Sequence, residues 1–293
     1  KAIAKKFYKD NSIKYNIDEI IVSVGGKQVL YNALMSSINP GDEVIIPSPF
    51  WVSYPDMVSL AGGVPIIVEG KEKNNFKIQP EDIRDKISTK TKWIIINSPS
   101  NPTGSSYSKE ELRDIGNLLL EYENIFVMSD DIYEKIIYDD FKFFSLAEVV
   151  PELKDRILTV NGVSKAYAMT GWRIGYAGGP KHLITAMSKL QSQSTSNPSS
   201  ISQAAALAAL EGPEEFLLER NERFKNRRDM VVKMLNECDG LSCIKPSGAF
   251  YVYPSCSGII GKSSKEGKLI ENSIDFSSYL LESVGVAVVP GSA

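Results

Sequence analysis

Apolar and polar positions alternate regularly through the first two thirds of the chain. Short apolar runs with the length of buried strands occupy residues 19–24, 43–46, 64–68, 93–97, 125–129, 157–160 and 174–177. The spacing between these runs predicts helices over residues 27–38, 52–61, 80–87 and 109–121. Strands that alternate with helices predict an α/β fold, with a mostly parallel sheet covered on both faces. Functional side chains are then expected in the loops that follow the strands.

The pattern changes after about residue 190. A polar stretch leads into helical patterns over residues 201–210 and 213–235. Beyond them, short apolar runs predict strands at 242–245, 249–253 and 286–289, with a helix at 275–282. We therefore divide the chain into a large α/β domain (1–190), connecting helices (191–235) and part of a small α+β domain (236–293).

Composition and charge exclude several classes of function. The 33 basic and 36 acidic residues give a net charge of −3, which predicts no nucleic-acid partner and no membrane partner. No apolar run in the sequence is long enough to span a bilayer. Three cysteines without metal-ligand neighbours predict no metal site and fit a reducing cytoplasm. With His182 as the single histidine, proton transfer is expected to depend on another base.

The most informative segment covers residues 164–175 and reads Ser-Lys-Ala-Tyr-Ala-Met-Thr-Gly-Trp-Arg-Ile-Gly. It places Lys165 among small and apolar residues, with Arg173 eight positions later. Desolvation disfavours an ammonium ion, so the pKa of such an amine falls and it can form a Schiff base with an aldehyde. The alternative is a solvated loop lysine, which is the commoner case for a lysine considered alone.

This segment resembles the cofactor-lysine motif of the pyridoxal-phosphate aminotransferases, in particular the aspartate aminotransferase family of class I. Five further strings occur in that family's order and at its spacing. They are Val24-Gly25-Gly26-Lys27-Gln28, Pro49-Phe50-Trp51-Val52-Ser53-Tyr54-Pro55, Asn97-Ser98-Pro99-Ser100-Asn101-Pro102-Thr103-Gly104, Ser129-Asp130-Asp131-Ile132-Tyr133-Glu134 and Pro246-Ser247-Gly248-Ala249-Phe250-Tyr251. Each string alone is weak evidence, but six in order are specific. The resemblance implies the aspartate aminotransferase fold, with pyridoxal 5'-phosphate bound in the domain 1–190.

The resemblance implies catalytic roles for three residues. Lys165 would hold the cofactor as a Schiff base and, once substrate has freed its amine, carry the proton between the substrate α-carbon and the cofactor. Asp130 would lie against the pyridine nitrogen and keep it protonated. An aspartate after a strand is about as often a helix N-cap, and the neighbouring Asp131 is a second candidate. Alignment with the family motif selects Asp130, the first of the pair. Tyr133 would donate a hydrogen bond to the cofactor's phenolic oxygen.

Five residues match the family's phosphate site. The backbone N–H groups of Gly25, Gly26 and Lys27 join a predicted strand to a predicted helix, a geometry that can bind an anion. A glycine pair at such a junction is, on its own, more often a simple turn. Ser164 and Arg173 match the hydroxyl and the guanidinium that complete the phosphate contacts.

Two residues match positions that contact both cofactor and substrate. Trp51 corresponds to the aromatic ring that stacks on the pyridine face, although a tryptophan at the start of a helix is otherwise usually part of the core. Asn101 corresponds to the asparagine that donates to the phenolic oxygen and to the substrate carboxylate. Pro49 and Pro102 fall where the family has cis peptide bonds.

By resemblance, the expected reaction converts L-aspartate and 2-oxoglutarate into oxaloacetate and L-glutamate, in a homodimer with its sites at the subunit interface. Ser192 stands where the best-known branch has an arginine that reads a second substrate carboxylate, so this selectivity must come from another residue. A prephenate or aromatic-amino-acid aminotransferase and a non-catalytic pyridoxal-phosphate-fold domain are the alternatives. A nicotinamide-dependent dehydrogenase is disfavoured, because residues 24–28 do not form a Gly-x-Gly-x-x-Gly turn.

Both ends of the sequence look cut when they are set against the family pattern. Residue 1 falls inside a helical pattern without a cap, and the sequence stops just after a predicted strand. The family has an N-terminal arm before this region and, after it, a segment with an arginine that binds the substrate's α-carboxylate. We therefore expect an incomplete copy of such an enzyme.

Overall fold

The computed structural model describes residues 1–265 and 267–293. Within these residues seven strands form one sheet: β1 Ile20–Val24, β2 Glu43–Ser48, β3 Val64–Glu69, β4 Thr91–Asn97, β5 Phe126–Asp130, β6 Ile157–Gly162 and β7 Ile174–Gly178. The α-helices are α1 Ala2–Asn11, α2 Gly26–Met35, α3 Ser53–Leu60, α4 Pro80–Arg84, α5 Lys109–Leu120, α6 Leu146–Val149, α7 Lys181–Ser192, α8 Ser200–Glu211, α9 Glu215–Asn236 and α10 Ser273–Val284. Short 3₁₀ helices lie at Ile17–Glu19, Glu72–Asn74, Pro151–Arg156 and Thr170–Trp172.

The strand order of the sheet is β1-β7-β6-β5-β4-β2-β3. Strands β2 to β6 run parallel, whereas β7 is antiparallel to both of its neighbours, β6 and β1. Because β7 is antiparallel to both β6 and β1, β1 points in the same direction as β6. The carboxyl ends of β1, β2, β4, β5 and β6 therefore lie at one edge of the sheet, together with the amino end of β7.

Two hydrophobic clusters cover the two faces of the sheet. Ile94 and Ile96 belong to the cluster that includes side chains of α1 and α5, while Trp93 and Ile95 belong to the cluster with α2, α3 and α7. Successive residues of a strand point to opposite faces, so a strand between two helical layers is apolar at nearly every position. The predicted α/β fold with a mostly parallel sheet is confirmed.

The strand predictions after residue 236 are wrong. Among the described residues, 242–245, 249–253 and 286–289 form no ladder; Ser242 and Ser255 make a single isolated bridge. A strand needs a neighbour along its whole length, and the left-handed φ of 56° at Ala249 also breaks the extended backbone. The predicted helix at 275–282 is confirmed as part of α10. The division into 1–190, 191–235 and 236–293 stays a prediction.

In the part of the chain that the structure describes, none of the helices has both the length and the apolar character required to cross a bilayer.

Candidate active site

Sheet register brings three distant segments of the candidate site together. Val24, the last residue of β1, pairs with Ile174, the first residue of β7, and Gly162 at the end of β6 pairs with Gly175. The glycine turn after β1, the lysine loop after β6 and the arginine before β7 are thus neighbours at the carboxyl edge. The loops after β2, β4 and β5 reach the same edge and carry the remaining predicted residues.

The turn at the start of α2 leaves room only for glycine. Gly25 has φ 82° and ψ 164°, a backbone conformation that is nearly exclusive to glycine. A Cβ atom placed there would lie 2.4 Å from Nη2 of Arg173, and a Cβ atom on Gly175 would lie 2.2 Å from the backbone nitrogen of Gly26. The guanidinium therefore packs directly on the N-terminus of a helix. A positive group beside free N–H groups at a helix start forms a cradle for an anion such as phosphate.

Asp130 provides a buried carboxylate at the end of β5. Its Oδ2 atom accepts a hydrogen bond of 2.7 Å from the hydroxyl of Tyr54, and its carbonyl oxygen accepts one of 2.9 Å from the side chain of Asn97. Within the described residues no cation forms an ion pair with this carboxylate. Burial raises the pKa of Asp130, while the hydrogen bond from Tyr54 lowers it. A buried carboxylate of this kind fits the protonated nitrogen of a pyridine ring.

Asp131 lies in a different environment from its neighbour. Its carboxylate accepts hydrogen bonds from the hydroxyls of Ser129 at 2.8 Å and Ser145 at 2.6 Å, both within the protein interior. These two hydroxyls tie β5 to the start of α6. The arrangement supports the choice of Asp130 as the residue that faces the cofactor, and that role stays a prediction.

Lys165 lies beside aromatic rings, half buried after β6. Its Nζ atom is 5.8 Å from the ring centre of Tyr133 and 5.6 Å from that of Phe250. Burial lowers the pKa of Lys165; the negative charge of Asp130 opposes this effect and the positive charge of Arg173 adds to it. A lysine with a lowered pKa keeps part of its amine unprotonated, as a nucleophile requires.

Tyr133 is buried close to this amine. Its hydroxyl lies 2.7 Å from the hydroxyl of Tyr251, and the side chain of Asn101 also reaches it. Asn101 is itself held by a 2.7 Å hydrogen bond from its backbone nitrogen to Oδ1 of Asn97. The structure thus brings Tyr133 and Asn101 together, as the resemblance implied.

Trp51 contacts Lys27 and Tyr54. The Nζ atom of Lys27 lies 4.7 Å from the ring centre of Trp51, and Tyr54 packs edge-on against the same ring at 5.4 Å. Ser164 is buried, and its carbonyl accepts a 3.0 Å hydrogen bond from Thr170. This bond ties the backbone of Ser164 to the 3₁₀ helix that ends next to Arg173.

The predicted cis bonds before Pro49 and Pro102 are confirmed, and the bond before Pro99 is also cis. Tyr54 and Tyr251 also belong to the site, although no sequence motif predicted a role for them. Both belong to strings that the resemblance had marked, but their contacts with Asp130 and Tyr133 span 76 and 118 residues. A local pattern carries no signal for partners at that separation.

A half-buried lysine, a carboxylate without an ion pair among the described residues and an anion cradle lie at the carboxyl edge of this sheet, an arrangement that fits a pyridoxal-phosphate-dependent enzyme. The sequence family described as aminotransferase class I and II matches residues 1–293. The chain belongs to this family and is an aminotransferase, and pyridoxal phosphate is the family's cofactor.

Individual relatives are similar along the whole chain. An aspartate/prephenate aminotransferase from Cereibacter sphaeroides is 56% identical over 293 residues, which are 100% of this chain and 73% of that protein. The crystal structure of the aspartate aminotransferase from Rhizobium meliloti is 52% identical, with a TM-score of 0.97 over 99% of this chain and 73% of that one. The Thermus thermophilus aspartate aminotransferase solved with maleate is 43% identical, with a TM-score of 0.91 over 99% of this chain and 72% of that one.

Proposed function

We propose that this aminotransferase converts L-aspartate and 2-oxoglutarate into oxaloacetate and L-glutamate. The observation that carries the proposal is the meeting of Lys165, Asp130 and the cradle formed by Gly25 and Arg173 at one edge of the sheet. These groups are the ones that amino-group transfer needs: an amine, a partner for the ring nitrogen and a phosphate anchor.

The residues fit the cofactor. When bound, pyridoxal phosphate supplies a carbonyl carbon that accepts amino groups and a ring that takes up the electron pair left by the departing α-proton. The backbone N–H groups of Gly26 and Lys27, together with Ser164 and Arg173, would hold its phosphate. The predicted contact from Gly25 does not fit, because its N–H group donates a 2.8 Å hydrogen bond to the carbonyl of Ser23. The close approach of the guanidinium to the glycine backbone, which a Cβ atom would block, supports this assignment.

Asp130 and Lys165 would divide the proton chemistry. Asp130, oriented by Tyr54, would hold a proton on the ring nitrogen, because a buried carboxylate gains most from a cation placed directly against it. Burial lowers the pKa of Lys165. Its amine would accept the α-proton of the substrate and deliver it to the C4′ carbon of the cofactor. Tyr133 and Asn101 would bind the phenolic oxygen and keep the ring in place.

Lys27 is our candidate for reading the second carboxylate of the substrate. Lys27 is exposed, and its ammonium group lies over the ring of Trp51, the residue that would stack on the cofactor. A side-chain carboxylate at this position would find a cation that forms no ion pair among the described residues. The Thermus relative was solved with maleate, which is itself a dicarboxylate.

Prephenate is a second candidate substrate for the same site. Relatives that are 56% identical carry the name aspartate/prephenate aminotransferase. Prephenate carries a second carboxylate on a six-membered ring, and the aromatic side chains of Phe250 and Tyr251 beside Lys165 and Tyr133 would pack against such a ring.

We also propose a cytoplasmic homodimer. The resemblance to the aspartate aminotransferase family supports the dimer, because that family builds its active site across a dimer interface. The three cysteines are free thiols, in keeping with a reducing compartment.

A cofactor titration followed by an amino-donor panel tests the proposed reaction. Pyridoxal phosphate is added to the purified protein and followed by absorbance. Each donor is then scored, on a chain extended to the length of its relatives, by the rate at which it changes the bound cofactor's spectrum. We expect aspartate and glutamate to react faster than leucine or alanine. A preference for aliphatic donors, or a spectrum that no donor changes, would contradict the proposal.

A further inference from the structure

A second tyrosine touches the tyrosine that faces the cofactor. The hydroxyl oxygens of Tyr133 and Tyr251 are 2.7 Å apart, and their rings meet edge-to-face with centres 5.7 Å apart. Tyr251 comes from the segment between α9 and α10, 118 residues further along the chain. A different part of the chain thus supplies a hydroxyl group to the candidate site.

The segment that carries Tyr251 is fixed to the loop that carries Tyr133. The backbone nitrogen of Ala249 donates to the carbonyl of Ile136 at 2.9 Å, and the backbone nitrogen of Tyr138 donates to Ser247 at 3.0 Å. The hydroxyl of Tyr138 also donates to the carbonyl of Ala249. Ala249 keeps a left-handed φ of 56°, a conformation that a non-glycine residue holds only where its surroundings enforce it. Backbone hydrogen bonds between the two segments therefore hold the hydroxyls of Tyr133 and Tyr251 close together.

Arg228 of α9 binds both this segment and the loop after β5. Its buried guanidinium donates to the carbonyl of Pro246 at 2.9 Å and pairs with Asp139 at 3.0 Å, next to Tyr138. The same group lies 4.6 Å from the ring centre of Tyr138. Both ends of the contact, the 246–251 segment and the loop after β5, are thus anchored to one side chain.

Proton counting fixes the direction of the hydrogen bond in the loaded enzyme. Each phenol has one proton to donate. If Tyr133 donates its proton to the phenolic oxygen of the cofactor, the proton between the two tyrosines must come from Tyr251. Burial raises the pKa of both tyrosines, so both keep their protons at neutral pH.

We propose that Tyr251 is a positioning residue: its hydroxyl donates to Tyr133 and so directs the Tyr133 proton to the phenolic oxygen of bound pyridoxal phosphate. This inference rests on the proposed function. A hydroxyl that accepts one hydrogen bond becomes a stronger donor in the next. Tyr251 therefore strengthens the contact by which Tyr133 stabilises the phenolate form of the cofactor, without touching the cofactor itself.

Tyr251→Phe tests the proposal, with Tyr253→Phe as the matched control. Tyr253 lies two residues further on, and its hydroxyl is 3.5 Å from the carbonyl of Gly291, away from Tyr133. The readout is the pH at which the absorbance of the bound cofactor is half changed. We expect Tyr251→Phe to raise this midpoint by about half a pH unit, the size that follows from one neutral hydrogen bond, and Tyr253→Phe to leave it in place.

Two further measurements distinguish a positioning role of Tyr251 from a role in stabilising the fold. In the cofactor-free protein, with tyrosine labelled by ¹³C at Cζ, Tyr251→Phe should move the Tyr133 signal while the melting temperature stays near that of the parent. In a Tyr133→Phe background, Tyr251→Phe should cause no further shift of the absorbance midpoint, because its effect passes through Tyr133.

The outcomes are distinguishable. A parent protein that binds pyridoxal phosphate, with a midpoint that Tyr251→Phe does not move, would overturn this proposal alone. An equal shift in the Tyr133→Phe background would also overturn it, since Tyr251 would then act by another route. A parent protein that binds no pyridoxal phosphate would overturn the proposed function and this inference together.

Discussion

Gly25→Ala should disable the anion cradle without removing any of its functional groups. Gly25 has φ 82° and ψ 164°, and forcing alanine into this region costs about 1–3 kcal/mol. The new Cβ atom would also lie 2.4 Å from Nη2 of Arg173, where an ordinary contact begins at 3.4 Å. The guanidinium must therefore retreat by about 1 Å, which breaks the geometry of a charge-assisted hydrogen bond.

The loss of one such bond corresponds to about 1.5–3 kcal/mol, or roughly 10- to 100-fold in the dissociation constant of pyridoxal phosphate. Absorbance titration measures the constant, and urea denaturation measures the cost in stability. Gly26→Ala is the matched control, because its Cβ atom would meet only Cδ1 of Ile132, at 3.9 Å, and it keeps the N–H group. Binding by Gly25→Ala within about twofold of the parent would refute the assignment of Arg173 to the phosphate.

Three further substitutions test separate parts of the account. Asp130→Asn should keep the cofactor bound but slow α-proton removal by at least about 100-fold in single-turnover absorbance traces; near-parental rates, with an inactive Asp131→Asn, would reverse the choice between the two. Lys27→Met should lower kcat/KM for aspartate by about 10-fold or more while sparing a monocarboxylate donor; an equal loss for both donors would remove Lys27 from side-chain recognition. Lys6→Met leaves the carboxylate of Glu134, buried against α1, without its cation, and should lower the free energy of unfolding in urea by about 3–5 kcal/mol; an unchanged midpoint would show that the pair does not stabilise the fold.

The parts of the fold that the sequence predicted are those governed by local rules. The run at 125–129 became β5, Phe126–Asp130, because a strand buried on both faces begins as a continuous apolar run, here Phe126, Val127 and Met128. Its polar end, Ser129 and Asp130, lies at the carboxyl edge of the sheet. The strands proposed at 242–245 and 249–253 failed, because a strand also depends on a neighbour that no local pattern specifies.

The candidate site shows the same division. Lys165, Asp130 and Arg173 could be chosen from short motifs, because their chemistry depends on residue type and spacing within one loop. The hydrogen bonds from Tyr54 to Asp130 and between Tyr251 and Tyr133 could not, because register and loop packing bring those residues together from distant positions. The resemblance to a known family implied the roles of the site residues. The structure adds the hydrogen-bond partners that orient Asp130 and Tyr133.

The most direct test of the central claim is to identify the lysine that binds the cofactor. The protein is incubated with pyridoxal phosphate, reduced with borohydride, digested and mapped by mass spectrometry; Lys165→Ala, which should retain some non-covalent binding, serves as the control. The account predicts a label on Lys165 and none in the Lys165→Ala protein, because burial lowers the pKa of this amine beside Asp130 and the anion cradle. A label on another lysine, or an unlabelled protein at saturating cofactor, would contradict it.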